Sequence, residues 1–372
     1  MNEILIVADI HLGHKNFAKN VFLKDISYFE EIVFPYILKN KIKHVIMCGD
    51  LIHNRDLSSN YIIQESKKRF FSWFDKNGVE FHVLIGNHDL LYKNRSDYNW
   101  PKTNLKEFEY ITVYEEPKIV TIEDYRFGFL PWQVSKVDIP KIINPSEIDI
   151  LVAHIDINNA LMQGSTRSFN GFDVQTFKDY KQVIVGHYHA TSDFHNVKYI
   201  GAPYQMSYRD YNNKKGYWIL KSDIKFEYFE NTYSPKYLKI FYIENEGDFK
   251  LYIGGIKEDK IEVTVEEAVE YVKNNYCKFI VKDFKQEKLL QEVFIKITEK
   301  TYDRIDLINE VSSIADFDIE SFESEIDSNV ELIDIFESYV ESITFRDKRM
   351  SKKKIIKYLK ECYKKTKIGS DE

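Results

Sequence analysis

Cysteine is scarce in this chain: Cys48, Cys277 and Cys362 are all it has in 372 residues, far apart and without a paired spacing. That excludes a disulfide framework and a vicinal redox motif, and it points to a reducing, intracellular compartment. Long hydrophobic runs are missing as well. No stretch approaches the roughly 20 apolar residues that a membrane helix needs, and Met1-Asn2-Glu3 leads straight into an apolar segment, leaving no room for a signal peptide. A cytoplasmic location without a membrane partner is therefore expected. Positive charge is also in short supply. With 59 acidic and 52 basic residues the net charge is −7, so binding to a polyanion must come from a local basic patch, from metal ions or from a partner.

What the chain does have is a set of metal-binding side chains that recur just after short apolar runs. Asp9 and His11 follow Ile4-Leu5-Ile6-Val7-Ala8, Asp50 follows Val45-Ile46-Met47-Cys48-Gly49, and Asn87 follows Phe81-His82-Val83-Leu84-Ile85-Gly86. The same grammar returns with His154 after Ile150-Leu151-Val152-Ala153, and with His187 and His189 after Val183-Ile184-Val185-Gly186. Such β-branched runs bounded by turn residues read as buried strands. In layered α/β proteins sites gather at strand ends, where loops leave one edge of a sheet and converge.

Taken singly, these signals are weak. An acidic residue and a His after a strand often cap a helix, Gly86-Asn87 suits a turn, and an isolated His154 suits a core. The Gly186-His187-Tyr188-His189 pattern says more, because alternate residues of an extended segment point to one side. Five such signals in order make a metal site. Seven ligands suit two divalent ions, which at roughly 3.5–4 Å can clamp a phosphate and activate water. Holding ions that close takes a bridging carboxylate, for which Asp50 is the candidate. Imidazole, carboxylate and amide donors favour Mn²⁺, Fe²⁺ or Zn²⁺ over ions that want only oxygen. No cysteine sits in the pattern, which counts against a structural zinc site.

Asp9-x-His11, Gly49-Asp50-(x)2-His53, Gly86-Asn87-His88-Asp89, His154 and Gly186-His187-x-His189 together resemble the calcineurin-like metallophosphoesterase superfamily. Within it, Leu12-Gly13, Asn54-Arg55 and Tyr199-Ile200-Gly201-Ala202-Pro203 resemble the SbcD-type nucleases of DNA double-strand-break repair, in particular the branch found in T-even bacteriophages. The resemblance covers residues 9–203. It implies a four-layer α/β/β/α sandwich and a two-metal DNA exonuclease or endonuclease, with Mn²⁺ the expected ion and the host cytoplasm the setting if a phage encodes the chain. It also implies a homodimer and a partner, an SMC-like ATPase of the SbcC type. One metal would rest on Asp9, His11, Asp50 and His189, the other on Asp50, Asn87, His154 and His187. His88, surplus to the metal count, would be the acid or a charge stabiliser at the leaving oxygen, Asp89 would orient it, and His53 would help place the phosphate. A phosphoesterase for small molecules or nucleotides would use the same ligands, and a catalytically silent scaffold for the ATPase is the third alternative.

Three regions are expected. Residues 1–232 form the nuclease domain, with a helix over 26–37 that Pro35 should kink or shift, a helix over 59–74, a hairpin over 119–130 around Glu123-Asp124, and extended segments over 217–229. Residues 233–325 form a small α+β module with a strand at 237–242, a capping box from Thr264 to Glu267 and a strand at 279–281; the resemblance makes it a capping or DNA-recognition domain. Residues 326–372 carry apolar helical stripes at 332–343 and 355–363, with an acidic stretch before and a Lys-rich end. The resemblance assigns them to the ATPase partner, while packing back on the second region is the alternative. Lys15, Arg55, Lys93, Arg95, Arg167 and Arg209 lie near motif loops as possible contacts to DNA backbone, although each is commonly a solvated charge. The load of 26 Tyr and 26 Phe allows stacking on unpaired bases, with Tyr188 and Tyr204 in motif loops, but most of these rings should pack the core.

Overall fold

The computed structural model describes residues 3–309, apart from 55–58, 93–94, 96, 134–136, 164–165, 170, 246–247, 255–259, 282–285 and 299–304. The two C-terminal helices expected in 326–372 lie outside the described residues, as do Arg55 and Lys93. In chain order the first strands are β1 (Ile4–Val7), β2 (His44–Met47), β3 (Glu80–Leu84), β4 (Ile111–Tyr114), β5 (Lys118–Ile122), β6 (Tyr125–Leu130), β7 (Ile150–His154), β8 (Leu161–Gln163), β9 (Thr166–Arg167), β10 (Val183–Gly186), β11 (Ser192–Phe194), β12 (Val197–Tyr199), β13 (Gly216–Lys221) and β14 (Lys225–Glu230). They build two six-stranded sheets, ordered β14-β13-β1-β2-β3-β4 and β11-β12-β10-β7-β6-β5. Within the first, β1 to β4 run parallel; within the second, β6, β7, β10 and β12 do.

The apolar runs explain the layering. Along β1 the side chains alternate: Ile4, Ile6 and Ala8 face the second sheet, where Phe127, Phe129, Val152 and Ile184 meet them. Leu5 and Val7 point the other way, into a cluster with Phe22, Phe29, Phe70 and Phe74 from the covering helices. Both faces of the strand are buried, which is why the run has no polar positions. On the far side of the second sheet, Leu151, Ala153, Val183 and Val185 pack with Ile139, Ile143, Phe177 and Tyr180. The result is the expected four-layer α/β/β/α sandwich.

The two covering helices differ from simple expectation in one respect. Helix Lys19–Tyr28 passes through a wide π turn, Phe29–Val33, before helix Phe34–Lys39 begins. Pro35 stands in the first turn of that last segment, so the missing N–H and the crowding that would kink a regular helix are absorbed where the backbone is already opened. The second helix does the same through Ser66–Phe71, between Asn60–Glu65 and Ser72–Asn77. Glu123 turns the β5–β6 hairpin with φ 51°. The segments expected at 217–229 are the antiparallel pair β13 and β14.

A third sheet follows, with β15 (Tyr237–Asn245), β16 (Asp248–Gly254), β17 (Ile261–Val263), β18 (Tyr276–Val281) and β19 (Ile305–Asn309) in the order β17-β16-β15-β18-β19. Helices Val265–Asn274 and Glu287–Thr298 cover one face, where Ala268, Val272, Val293 and Ile297 meet Leu238, Ile240, Cys277 and Phe279. The Thr264 hydroxyl accepts from Glu267 N at 3.1 Å while the Glu267 carboxylate accepts from Thr264 N at 2.8 Å, a complete capping box. Met1–Val311 forms one compact unit, and the third sheet meets the sandwich where Tyr237 N donates to Gln205 Oε1 at 2.7 Å. Among the described residues no helix is long and apolar enough to cross a membrane.

Candidate metal centre

The parallel strands of each sheet deliver their C-terminal ends to one place. The loops after β1 and β2 run side by side, Asp9 N donating to Gly49 O at 3.0 Å and His11 N to Asp50 O at 3.0 Å. The two sheets meet where His154, last residue of β7, donates from Nδ1 to Cys48 O at 2.7 Å. This approach needs Gly186: a Cβ there would lie 2.2 Å from Cys48 O and 2.8 Å from His154 Nδ1. Asp9, His11, Asp50 and His187 all take positive φ, at 52°, 47°, 57° and 100°. Non-glycine residues in that region cost about 1–3 kcal/mol each and persist where their surroundings impose them.

Asp9, His11, Asp50, Asn87 and His154 are buried, while His53, His88, His187 and His189 are partly open. Possible ligand atoms of Asp9, His11 and His189 lie within 4.8 Å of one another, and so do those of Asp50, His154 and His187. Asp50 stands between the groups, its Oδ2 3.3 Å from His154 Nε2 and 3.6 Å from His11 Nε2. Its Oδ1 is fixed by the His88 backbone N–H at 2.8 Å. Asn87 Oδ1 meets His154 Nε2 at 3.1 Å and His187 Nδ1 at 2.9 Å, and His189 Nε2 lies 3.1 Å from His11 Nε2. All seven expected ligands thus come together, from five loops.

Electrostatics sort the protons. Burial works to raise the Asp50 carboxyl, but the imidazoles of His154, His88 and His11 outweigh it and hold it well below the usual range. Burial pushes Asp9 up to about 7, the Asp50 charge adding to it against the pull of His154. Burial would lower His154, yet the Asp50 carboxylate brings it up to about 9. Burial takes His189 down to about 4 and His53 to about 3, and holds His11 well below its ordinary value. His11, His53 and His189 are therefore neutral, with lone pairs to offer. Asp9 Oδ1 accepts the His187 N–H at 2.8 Å, but Asp9 Oδ2 is buried with no hydrogen-bond partner. An orphaned carboxylate oxygen among imidazole and amide donors fits divalent cations of the Mn²⁺, Fe²⁺ or Zn²⁺ kind.

Asp89 bonds to the backbone beyond the role expected of it: its two oxygens accept from four N–H groups, Leu51 at 3.0 Å and Ile52 at 3.2 Å on Oδ1, Asp50 at 3.0 Å and Gly86 at 2.8 Å on Oδ2. It fastens the loop after β2 to the loop after β3. The His88 ring donates from Nδ1 to the carbonyl of His53 at 2.7 Å. The His53 ring lies parallel to His88 with centroids 5.5 Å apart and meets His11 edge-on at 5.2 Å.

Of the basic residues, Arg95 pairs with Asp97 on an exposed turn, Arg167 donates to Asn159 O at 2.9 Å, Lys15 sits 5.6 Å over the Tyr237 ring, and Arg209 belongs to the short turn Tyr208–Asp210. Tyr188 and Tyr204 are buried, and their hydroxyls donate to Asp156 and to Ile10 O. They are packing and bracing groups, not stacking surfaces for bases. Several neighbours escaped sequence reasoning. Asp156 Oδ1 lies 2.6 Å from His187 Nε2, and Trp132 sits 5.2 Å from the His187 ring. Lys215 is buried between Asp210 Oδ1 and His189 O, at 2.7 Å from each. His14 pairs with Asp25 at 2.9 Å. Only Asp156 left a signal: it stands two residues past His154, on the same side of an extended segment.

Residues 3–191, just over half of the chain, match the calcineurin-like phosphoesterase family, and the chain belongs to it: a phosphoester hydrolase of a family that uses divalent metal ions. Among its relatives is "Exonuclease subunit 1" of Enterobacteria phage T4, 27% identical over 281 residues, which are 74% of this chain and 79% of that protein. The SbcD component of the SbcCD nuclease of Staphylococcus epidermidis is 24% identical over 257 residues, 59% of this chain and 65% of its own length, a little under two thirds. A crystal structure of a protein of unknown function from Aquifex aeolicus aligns with 44% of this chain and 80% of its own at 16% identity, with a TM-score of 0.26, too low to bear on the fold.

The Asp89 finding gives a direct expectation. Asp89→Ala leaves four backbone donors without their acceptor, each worth about 1–3 kcal/mol when buried and unmet. Chemical denaturation should show a loss of several kcal/mol, with Asp89→Asn between the two because its amide offers a single acceptor oxygen. Were Asp89 only an aligner of His88, both variants would unfold like the parent protein.

Proposed function

We propose that the chain is a DNA nuclease that hydrolyses phosphodiester bonds with two divalent cations, most simply Mn²⁺, as one component of a recombination and double-strand-break repair complex. The observation that carries this reading is the position of one Asp50 oxygen between two separate groups of ligands. Asp9, His11, Asp50 and His189 would hold one ion, and Asp50, Asn87, His154 and His187 the other. Bound there, the ions supply the Lewis acidity that an anionic phosphodiester needs before water can attack it. The nuclease names of both relatives support a nucleic-acid substrate and their names as subunits support a complex; DNA and an SMC-like ATPase are what the motif resemblance adds. The expected stripes at 332–343 and 355–363 would dock on that ATPase, the third sheet would act as the capping domain over residues 233–325, and a homodimer is the assembly we assign.

The chain's own groups divide the remaining work. Asp50 is locked by the His88 N–H at Oδ1, which leaves Oδ2 for the cations. His88 has Nδ1 committed to the His53 carbonyl, so proton exchange falls to Nε2. A proton held there is the one given to the departing sugar oxygen. The His53 carbonyl fixes the plane of that ring, while the neutral His53 imidazole, parallel to it, would help position the phosphate.

Two expectations follow from these roles. The purified protein should degrade linear and hairpin DNA with Mn²⁺, stop on chelation, and lose bound metal and activity together in Asp50→Ala. If generic phosphodiesters are hydrolysed and DNA is not, the substrate is a small molecule; if Asp50→Ala cleaves normally, the metal assignment is wrong. His88→Ala should keep its metal and its DNA affinity while hydrolysis falls by about 10²–10⁴, the usual worth of a general acid. Metal analysis beside single-turnover rates decides this, since loss of metal would make His88 a ligand.

A further inference from the structure

Negative charge is unevenly shared between the two ligand groups. Asp9 serves the group with His11 and His189, and Asp50 lies between both. The other group adds only Asn87, His154 and His187, all neutral as ligands. A divalent ion held there would face a single shared carboxylate, half of what the first position has.

Asp156 supplies what that group lacks. Its Oδ1 lies 2.6 Å from His187 Nε2, and the same oxygen accepts the Tyr188 hydroxyl at 2.9 Å. An ionised carboxylate takes the proton-bearing nitrogen of an imidazole as its donor, so His187 carries hydrogen on Nε2 and turns Nδ1 to Asn87 Oδ1, 2.9 Å away. His154 is arranged the other way round, with Nδ1 on the Cys48 carbonyl and Nε2 toward Asn87 and Asp50. One imidazole is thus backed by a neutral carbonyl and the other by a full negative charge. The backbone holds Asp156 in place. Phe172 N donates to Asp156 O at 2.9 Å, Asn158 N returns a bond to Phe172 O at 2.9 Å, and Gly171 turns at φ 108° where a Cβ would come within 2.5 Å of the Asp156 carbonyl.

We propose that Asp156, seated by the Gly171 turn and shared with Tyr188, is a positioning residue that fixes His187 with Nδ1 toward Asn87 and gives the second cation position its missing charge. The inference rests on the two-ion reading of the site. A carboxylate behind a ligand imidazole raises its basicity, and removing such a partner typically weakens metal binding about 10–100-fold.

The test is titration of the metal-free full-length protein with MnCl2 alone, followed by calorimetry and by elemental analysis of the bound metal. The parent protein should take two ions. Asp156→Asn keeps an oxygen to accept from Nε2 but loses the charge, and it should weaken one of the two binding steps about 10–100-fold while the other stays unchanged. Asp156→Ala should weaken that step further, and Tyr188→Phe, which leaves the charge in place, should weaken it less than Asp156→Asn does. Melting of the metal-free Asp156→Asn protein at the parent temperature separates this from general loosening, and it decides the matter if Asp156→Ala fails to fold. Two ions bound by Asp156→Asn with parent affinity, or equal weakening of both steps, overturns the proposal and leaves the two-ion reading standing. A parent protein that binds one ion overturns both.

Discussion

Everything in this fold is arranged around two carboxylates, Asp9 and Asp50, buried within reach of each other and of four imidazoles. Carboxylates brought out of water and set side by side repel, and Asp9 shows it, pushed up to about 7 by burial with the Asp50 charge behind it. What makes the arrangement tolerable is that part of its hydrogen-bonding capacity is already committed. Asp50 Oδ1 is tied to the His88 N–H, Asp9 Oδ1 to the His187 N–H, and His154 Nδ1 to the Cys48 carbonyl. The oxygens and nitrogens left over face inward, and a cation is the natural complement to that remainder.

The backbone bears the cost. Asp9, His11, Asp50 and His187 sit at positive φ, and glycines precede Asp50, Asn87 and His187 because a Cβ at Gly49, Gly86 or Gly186 would strike His154, Asp50 or Cys48. Strain of this kind needs a rigid frame. The parallel strands buried on both faces provide it, and Asp89 pins the loops after β2 and β3 together through four N–H groups. Stability and chemistry are thereby joined: the same sandwich that buries the apolar runs also aims their C-terminal ends.

Much of this was legible in the sequence, because a buried strand and the loop that follows it leave a plain trace. A mostly apolar run and then a donor, with a glycine between them at Asp50, Asn87 and His187, is how Asp9, Asp50, Asn87, His154 and His187 announce themselves, and all seven expected ligands converge. The role of Asp89 was not legible, since its partners are backbone N–H groups that no side-chain pattern records. The π turns at Phe29–Val33 and Ser66–Phe71 were hidden for a related reason: one extra residue in a turn shifts an amphipathic stripe too little to be read over so short a helix. Lys215, Asp210 and Trp132 reach the centre from segments with no motif of their own. Asp156 was readable, two residues beyond His154, but a lone acidic residue past a ligand carries no weight until its distance to His187 is known.

The central claim is that Asp50 lies between two cations held by two distinct ligand sets. Crystals of the protein grown with Mn²⁺ and measured at the manganese absorption edge would test it without reference to any activity. Two anomalous peaks are expected, one among Asp9, His11 and His189 and one among Asn87, His154 and His187, with Asp50 contacting both. A single peak, or a peak among His11, His53 and His88, whose ligand atoms also lie within 4.8 Å of one another, would contradict the account.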